Sequence, residues 1–283
     1  MDIRDTKNIE IEPYSPGHGF EQLWALQSKL LDNYIKIESL PSYPINPHLK
    51  INQILLKDFI ARITEEIGEG HESLRNGVTV FTNSRTGESV PHDLTYNYFN
   101  LYEELSDALH FFMELFIYLG LTEDFLKTVS LYGVLAPTGE GTLEILWEKA
   151  ETHLGWVCSK FSCLGEVADR PESFKDLAVD FKELKPDPTN YRKIFNYKTA
   201  YFLYPHIAWL STYHLQLARN AMKNKPWKQT EMVSDKSIMQ SNIRDSFILY
   251  LSLCRLLGLS VESLYHLYCR KNHINHFRII SKY

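Results

Sequence analysis

The chain has 283 residues, of which 44% are hydrophobic, and its formal net charge at pH 7 is −5. This composition supplies a folded core and excludes an intrinsically disordered chain. No excess of basic residues points to nucleic acid as a partner. The longest apolar stretch, roughly residues 109–121, contains His110 and Glu114 and is too short and too polar to span a membrane.

Features that bear on location come from the N-terminus and the cysteines. The first residues are polar and lack the apolar run of a secretory signal peptide. The four cysteines contain no CxxC pair, which is typical of free thiols in a reducing compartment. We therefore expect a cytoplasmic protein, with a nuclear or organellar location also open.

Apolar residues recur at helical spacing along most of the chain. In chain order the pattern predicts helices at 19–36, 50–69, 97–120, 122–131, 141–163, 172–184, 199–222 and 243–257, and a last helix after Ser260. Residues 70–94, which contain Asn76-Gly77 and Thr86-Gly87, predict a loop or a short hairpin. Because no series of strands alternates with the helices, the predicted fold class is all-α.

Two stretches resemble each other, Asp107–Leu121 and Asp245–Leu259, and their glycines Gly120 and Gly258 are 138 residues apart. One interpretation is two ordinary helices that each stop at a glycine. The other is that the two stretches flank an insertion. It divides the chain into a helical catalytic core, residues 1–121 plus 244–283, and an inserted helical subdomain, residues 122–243.

Two acidic pairs, Glu66/Glu69 and Glu104/Asp107, carry the functional argument. Their i, i+3 spacing projects both carboxylates of a pair from one face of a helix. Four facing carboxylates would repel one another, and a shared Mg²⁺, which prefers oxygen ligands, would relieve that repulsion. A solvated helix face is the alternative from spacing alone, although Glu104 and Asp107 lie in the most apolar helix, where solvated acids are least expected.

Such a site could serve the hydrolysis of a nucleotide. Bound Mg²⁺ would polarise a phosphoryl group and activate a water, with Glu65 and Glu66 as the candidate catalytic carboxylates and Glu65 as acceptor of the water's proton. Lys271, Asn275 and Arg278 recur at i, i+4, i+7, a polar and cationic stripe that suits a triphosphate. A basic last turn favoured by the helix dipole is the alternative.

Four segments resemble the all-α nucleoside triphosphate pyrophosphatases, which include the dimeric dUTPases, the phage dCTP pyrophosphatases and the MazG-type enzymes. The segments occur in the family's order. They are Leu26–Asp32, Glu66-x-x-Glu69, Glu104–Phe111 and Leu264–Arg278.

The resemblance implies a MazG/dimeric-dUTPase-like helical bundle with a large helical insertion, a homodimer and Mg²⁺-dependent hydrolysis between the α- and β-phosphates. The expected substrate is dUTP, with dCTP second, and the products are the monophosphate and pyrophosphate. The resemblance assigns the metal to Glu66, Glu69, Glu104 and Asp107. It assigns the nucleotide to Gln27, His110, Phe111, Lys271, Asn275, Arg278 and Tyr283.

The chain also departs from the family. Leu31 stands where the first motif has asparagine, and the loop at 70–94 replaces a Trp- and Lys-rich stretch. These differences leave base selection open. The change at Leu31 and the large middle region of the chain also motivate a second hypothesis, a non-catalytic helical module that senses a nucleotide or binds a protein.

Overall fold

The computed structural model describes residues 6, 9–76, 80–82, 89–91, 94–128, 141–161, 197–225, 227–229 and 232–281. Within these ranges the chain forms eight helices and one two-stranded hairpin, which confirms the all-α class. The elements are α1 Gly19–Glu38, α2 Lys50–Asn76, β1 Val80–Thr82, β2 Ser89–Pro91, α3 Leu94–Leu119, α4 Glu123–Lys127, α5 Thr142–Phe161, α6 Tyr197–Ala221, α7 Lys236–Leu256 and α8 Val261–Ser281.

The helices α2 and α3 form a long antiparallel pair. At one end the Asn100 side-chain amide donates to the Ser73 hydroxyl at 2.6 Å, and at the other Phe59 stacks on Tyr118 with ring centroids 5.4 Å apart. The antiparallel hairpin of β1 and β2 lies between the two helices in the chain. This pairing brings the middle of α2, around residue 66, opposite the middle of α3.

The helices α6 and α7 form a second antiparallel pair. Ser211 and Ser246 place their hydroxyls 2.9 Å apart, and His214 Nδ1 lies 2.8 Å from Asn242 Oδ1. The hydroxyl of Tyr204 on α6 donates to the Ile67 carbonyl of α2 at 2.9 Å. The two pairs therefore pack against each other around one core.

Gly120 and Gly258 end α3 and the α7 segment in the same way. Both adopt positive φ, 59° and 83°, and in each case the following residue's N–H bonds back five residues, Leu121 to Phe116 and Leu259 to Cys254. This is the backbone geometry that glycine permits at a helix end. The predicted glycine stops are confirmed, while the inserted subdomain at 122–243 remains a prediction.

Tertiary packing lengthens α2 beyond its predicted end at residue 69. The His71 ring stacks on Tyr204 at 5.6 Å, Leu74 is buried, and Ser73 accepts from Asn100. These contacts come from α3 and α6, so the local periodicity of α2 does not reveal them.

Side-chain caps set the starts of the last two helices. The Asp235 carboxylate accepts from the Ile238 N–H at 2.9 Å, so α7 begins before the predicted residue 243. Ser260 accepts from the Ser263 N–H at 3.1 Å, which confirms the predicted cap of α8. The predicted helix at 172–184 lies outside the described residues.

No single helix among the described residues is long and apolar enough to cross a membrane. The helices α7 and α8 reach the required length and hydropathy only as a pair bent by 101°.

Candidate active site

Three carboxylates converge where the middles of α2 and α3 meet. Glu66 and Glu69 from α2 and Glu104 from α3 each offer one oxygen, and these oxygens lie within 4.8 Å of one another. Glu66 and Glu104 are half-buried and Glu69 is exposed. The structure therefore brings together three of the four metal ligands expected from the sequence.

The charges of these acids are poorly neutralised. Burial, together with the nearby charges of Asp107 and Glu104, raises the pKa of Glu66 to about 8. Burial and the charge of Asp107 raise the pKa of Glu104 to about 7, although a hydrogen bond from Glu66 opposes that rise. At neutral pH the two carboxyls hold a proton that a cation would displace. An oxygen-only donor set of this kind fits a hard divalent cation such as Mg²⁺.

Asp107, the fourth expected ligand, pairs with a buried lysine. Lys271 Nζ lies 2.8 Å from Asp107 Oδ2 and 2.6 Å from Glu103 Oε1, and this lysine ties α8 to α3. Burial raises the pKa of Asp107 to about 6, with Lys271 opposing the rise. Lys271 thus places positive charge beside the cluster, and its predicted contact with phosphate remains a prediction.

Glu65, the predicted proton acceptor, is exposed on α2 next to Glu66. It is not part of the three-carboxylate cluster. Its catalytic role therefore remains a prediction from the sequence.

An open pocket of about 360 Å³ borders the acids and is lined by α1, α2, α3, α8 and Leu40 after α1. Its lining includes six residues that the sequence had placed at the site: Glu66, Asp107, His110, Phe111, Asn275 and Arg278. The pocket therefore joins the predicted metal end to the predicted nucleotide-binding residues.

His110 is a neutral acceptor in the wall of this pocket. Its Nδ1 lies 2.9 Å from the Ser106 carbonyl, so Nδ1 must carry the proton that it donates. Nε2 is then an acceptor, and it has no hydrogen-bond partner among the described residues. Burial lowers the His110 pKa to about 3, and the ring stacks on Tyr268 with centroids 4.0 Å apart.

Phe111 and Arg62 form the outer wall of the pocket. The Arg62 guanidinium lies 5.5 Å from the centre of the Phe111 ring, a cation–π distance, and Arg62 also pairs with Asp58 at 2.8 Å. Half-buried Asn275 and exposed Arg278 line the α8 side, where they are accessible to a ligand.

Gln27 is fully buried behind the pocket. Its Nε2 donates to Glu114 Oε1 at 3.0 Å, and its Oε1 accepts from the Tyr268 hydroxyl. Both ends of the amide are therefore engaged within the protein. Its predicted contact with a base remains a prediction.

Glu114 is a pocket residue that the sequence analysis did not assign. It is 7% exposed and lines the pocket, and burial raises its pKa to about 8. The available signal was a carboxylate in the most apolar helix, seven residues after Asp107 and so on nearly the same helical face. The predicted contact at Tyr283 lies outside the part of the chain that the structure describes.

Comparison with known proteins places part of the chain in a known family. A family model described as dUTPase matches residues 94–283, which include α3, with Glu104 and Asp107, and α8. Glu66 and Glu69 on α2 precede the matched region. No curated protein and no solved structure shows significant similarity to the chain.

Proposed function

Since this match covers more than half of the chain, the protein belongs to the dimeric all-α dUTPase family, and we propose that it is a Mg²⁺-dependent deoxynucleoside triphosphate pyrophosphatase. Its proposed substrate is dUTP, with dCTP second, and its products are the monophosphate and pyrophosphate. The observation that carries the proposal is the three-carboxylate cluster, one member of which, Glu66, also lines the pocket.

The donor set fits a divalent metal, which dUTPases of this family generally use. Glu66, Glu69 and Glu104 would hold the ion, with Asp107 adjoining them and shared with Lys271. When bound, the metal polarises phosphoryl oxygens and lowers the pKa of a water. Mg²⁺ is the proposed ion because every donor in the cluster is a carboxylate oxygen.

Residues of the chain would then position the nucleotide. Glu65, exposed beside Glu66, would accept the proton of the attacking water. Asn275 and Arg278 would contact the sugar and phosphates from α8, and His110 and Phe111 would enclose the nucleoside. Holding the α-phosphate beside the acids lowers the entropic cost of the reaction.

We also propose that the protein acts as a homodimer, as is typical of this family. Sedimentation velocity of the purified protein tests this directly, and a monomer at micromolar concentration would contradict it. A cytoplasmic location remains a prediction from the sequence.

A non-catalytic module that binds a nucleotide is the competing function. Leu31 favours this non-catalytic function. It stands where the first motif of the dUTPase family has asparagine, and a buried leucine (1% exposed) offers a ligand in the pocket no hydrogen bond. Substituting Glu104→Gln discriminates the two functions. An enzyme should lose turnover by orders of magnitude, whereas the binding role of a non-catalytic module should survive.

The test of the proposed function is product analysis with the four common dNTPs and dUTP, in Mg²⁺ and in EDTA. We expect monophosphate and pyrophosphate in a 1:1 ratio from dUTP with Mg²⁺ and no product with EDTA. Failure of all five nucleotides to yield monophosphate would contradict the proposal.

A further inference from the structure

We propose that Glu114 determines base specificity: its carboxyl donates a hydrogen bond to the carbonyl at position 4 of the pyrimidine and thereby selects uracil over cytosine. This inference rests on the proposed function, because it assigns base selection to the far end of the same pocket. It concerns a residue outside the four sequence segments that suggested the family.

The position of Glu114 fits the length of a nucleoside. Glu114 follows Asp107 by seven residues on α3, a rise of about 10 Å, and both residues line the pocket. This is comparable to the span from the 5′ oxygen of a nucleoside to the far edge of its base. An α-phosphate at the acids would therefore bring the base to Glu114, with His110 and Phe111 alongside the sugar and ring.

A relay from α8 orients the Glu114 carboxyl. The Tyr268 hydroxyl donates to Gln27 Oε1, so Gln27 turns its Nε2 toward Glu114 and donates to Oε1 at 3.0 Å. Because Oε1 accepts this bond, the proton of the neutral acid belongs on Oε2. Gln27 thereby becomes a positioning residue, and Glu114 becomes the polar group that faces the ligand.

The two leucines that α1 contributes to the pocket cannot hydrogen-bond to a base. Leu30 and Leu31 are buried, line the pocket and cannot form hydrogen bonds through their side chains. Leu31 occupies the position where the resembling family has asparagine. The chain therefore lacks the side-chain amide that the family has at this position, and Glu114 provides a buried polar group in the same pocket.

The protonation of Glu114 decides which base it fits. Burial raises its pKa to about 8, Arg62 opposes the rise, and Glu38 and Asp58 add to it. The other titratable side chains whose own pKa responds to Glu114 are Tyr34, Tyr118 and Tyr268. At neutral pH the carboxyl is protonated and donates to the 4-carbonyl of uracil, whereas the amino group of cytosine presents a second donor and is rejected.

The variants Glu114→Gln and Glu114→Met test the assignment, with kcat/KM for dUTP and dCTP measured in Mg²⁺. In Glu114→Gln the amide oxygen faces Gln27 and the NH₂ group keeps a donor toward the base, so the dUTP:dCTP ratio is expected to stay within a few-fold of wild type. Glu114→Met has similar length and no donor, and the ratio should fall about tenfold or more. Thermal unfolding of both variants separates this effect from a structural one.

A pH series provides a second readout that a structural role would not produce. As pH rises from about 6.5 to about 8.5, wild-type Glu114 loses its proton and the dUTP:dCTP ratio should fall, while the Glu114→Gln ratio should stay flat. Using the ratio cancels the titration of the acidic cluster, which both substrates share. If Glu114→Met does not fold, the pH dependence of the dUTP:dCTP ratio in wild type and Glu114→Gln still tests the role of Glu114.

Three outcomes would overturn the inference: a wild-type preference for dCTP, an unchanged ratio in folded Glu114→Met, or a wild-type ratio that does not change with pH. If wild type hydrolyses no nucleotide, the proposed function fails and base reading is measured by calorimetry with dUMP and dCMP. Tighter binding of dUMP that is lost in Glu114→Met would still support the role of Glu114, and equal affinities would reject it.

Discussion

The two antiparallel helix pairs, α2–α3 and α6–α7, place the same sequence pattern in different electrostatic surroundings. Asp107 on α3 and Asp245 on α7 occupy corresponding positions before a glycine stop. Asp245 is fully buried and pairs with Arg244, the residue beside it, at 3.1 Å. Asp107 also has a cationic partner, Lys271 of α8 at 2.8 Å, but it adjoins the cluster of Glu66, Glu69 and Glu104, and its charge raises the pKa of Glu66.

The position three residues earlier shows the same contrast. On α3 it is Glu104, a charged member of the acidic cluster, and on α7 it is Asn242, a neutral amide that binds His214. On α7 the charge of Asp245 is paired with Arg244 and Asn242 is hydrogen-bonded to His214, whereas the α2–α3 pair keeps an excess of negative charge at Glu66, Glu69 and Glu104. That excess indicates a site for a cation, since a purely structural pair gains nothing from repulsion.

The substitution Glu104→Gln on α3 has the largest expected effect and tests the contrast between the two helix pairs. We expect kcat for dUTP to fall by about a thousandfold or more, as for groups that act at the reacting centre. Glu72→Gln is the matched control, because Glu72 is an exposed carboxylate on α2 next to the site in sequence and should leave turnover unchanged. Undiminished turnover in Glu104→Gln would remove the acidic cluster from the mechanism.

The corresponding change on the other pair is Asp245→Asn. It leaves buried Arg244 without its charged partner, and breaking a buried pair in this way costs about 3–5 kcal/mol of unfolding free energy. Urea denaturation measures that loss, and turnover of the folded protein should persist. Wild-type stability combined with lost turnover would reverse the roles assigned to the two helix pairs.

Metal addition sharpens the comparison further. At Mg²⁺ about 100 times its dissociation constant, the folded protein should gain about 2.7 kcal/mol, seen as a rise in melting temperature. The gain should vanish in Glu104→Gln and remain in Asp245→Asn. An identical response to Mg²⁺ in both variants would place the ion elsewhere.

The smallest expected effect is the pH dependence of stability after chelation. The folded-state pKa of Glu66 is about 8 and that of Glu104 is about 7, above the ordinary glutamate value. The folded state then binds more protons than the unfolded state between about pH 4.5 and pH 8, so its stability should decrease as pH rises through that range. Melting temperatures in EDTA that stay level would show that burial and the neighbouring charges do not raise these pKa values. Saturating Mg²⁺ should reduce the slope.

Much of the fold follows from the sequence because its signals are local. Apolar periodicity located the helices, and Gly120 and Gly258 set their ends through a backbone conformation that glycine adopts readily. The extra turns of α2 depend instead on Tyr204 and Asn100, residues far along the chain that contact His71 and Ser73. Helix length was therefore underestimated where tertiary packing decides it.

The site divides in the same way. The i, i+3 spacing located Glu66, Glu69 and Glu104, because residues on one helix face are fixed by the helical repeat. Glu114 was missed because its buried position beside the pocket depends on packing against Gln27, which lies 87 residues earlier in the chain and donates a hydrogen bond to it. The pairing of Lys271 with Glu103 and Asp107 likewise becomes visible only when α8 packs on α3.

The most direct test of the central claim is hydrolysis of dUTP in H₂¹⁸O with Mg²⁺, with the label located by mass spectrometry. Attack of water on the α-phosphate, beside the acids of α2 and α3, predicts one ¹⁸O in dUMP and none in pyrophosphate. Label in pyrophosphate, release of inorganic phosphate with dUDP, or no hydrolysis at all would contradict the account.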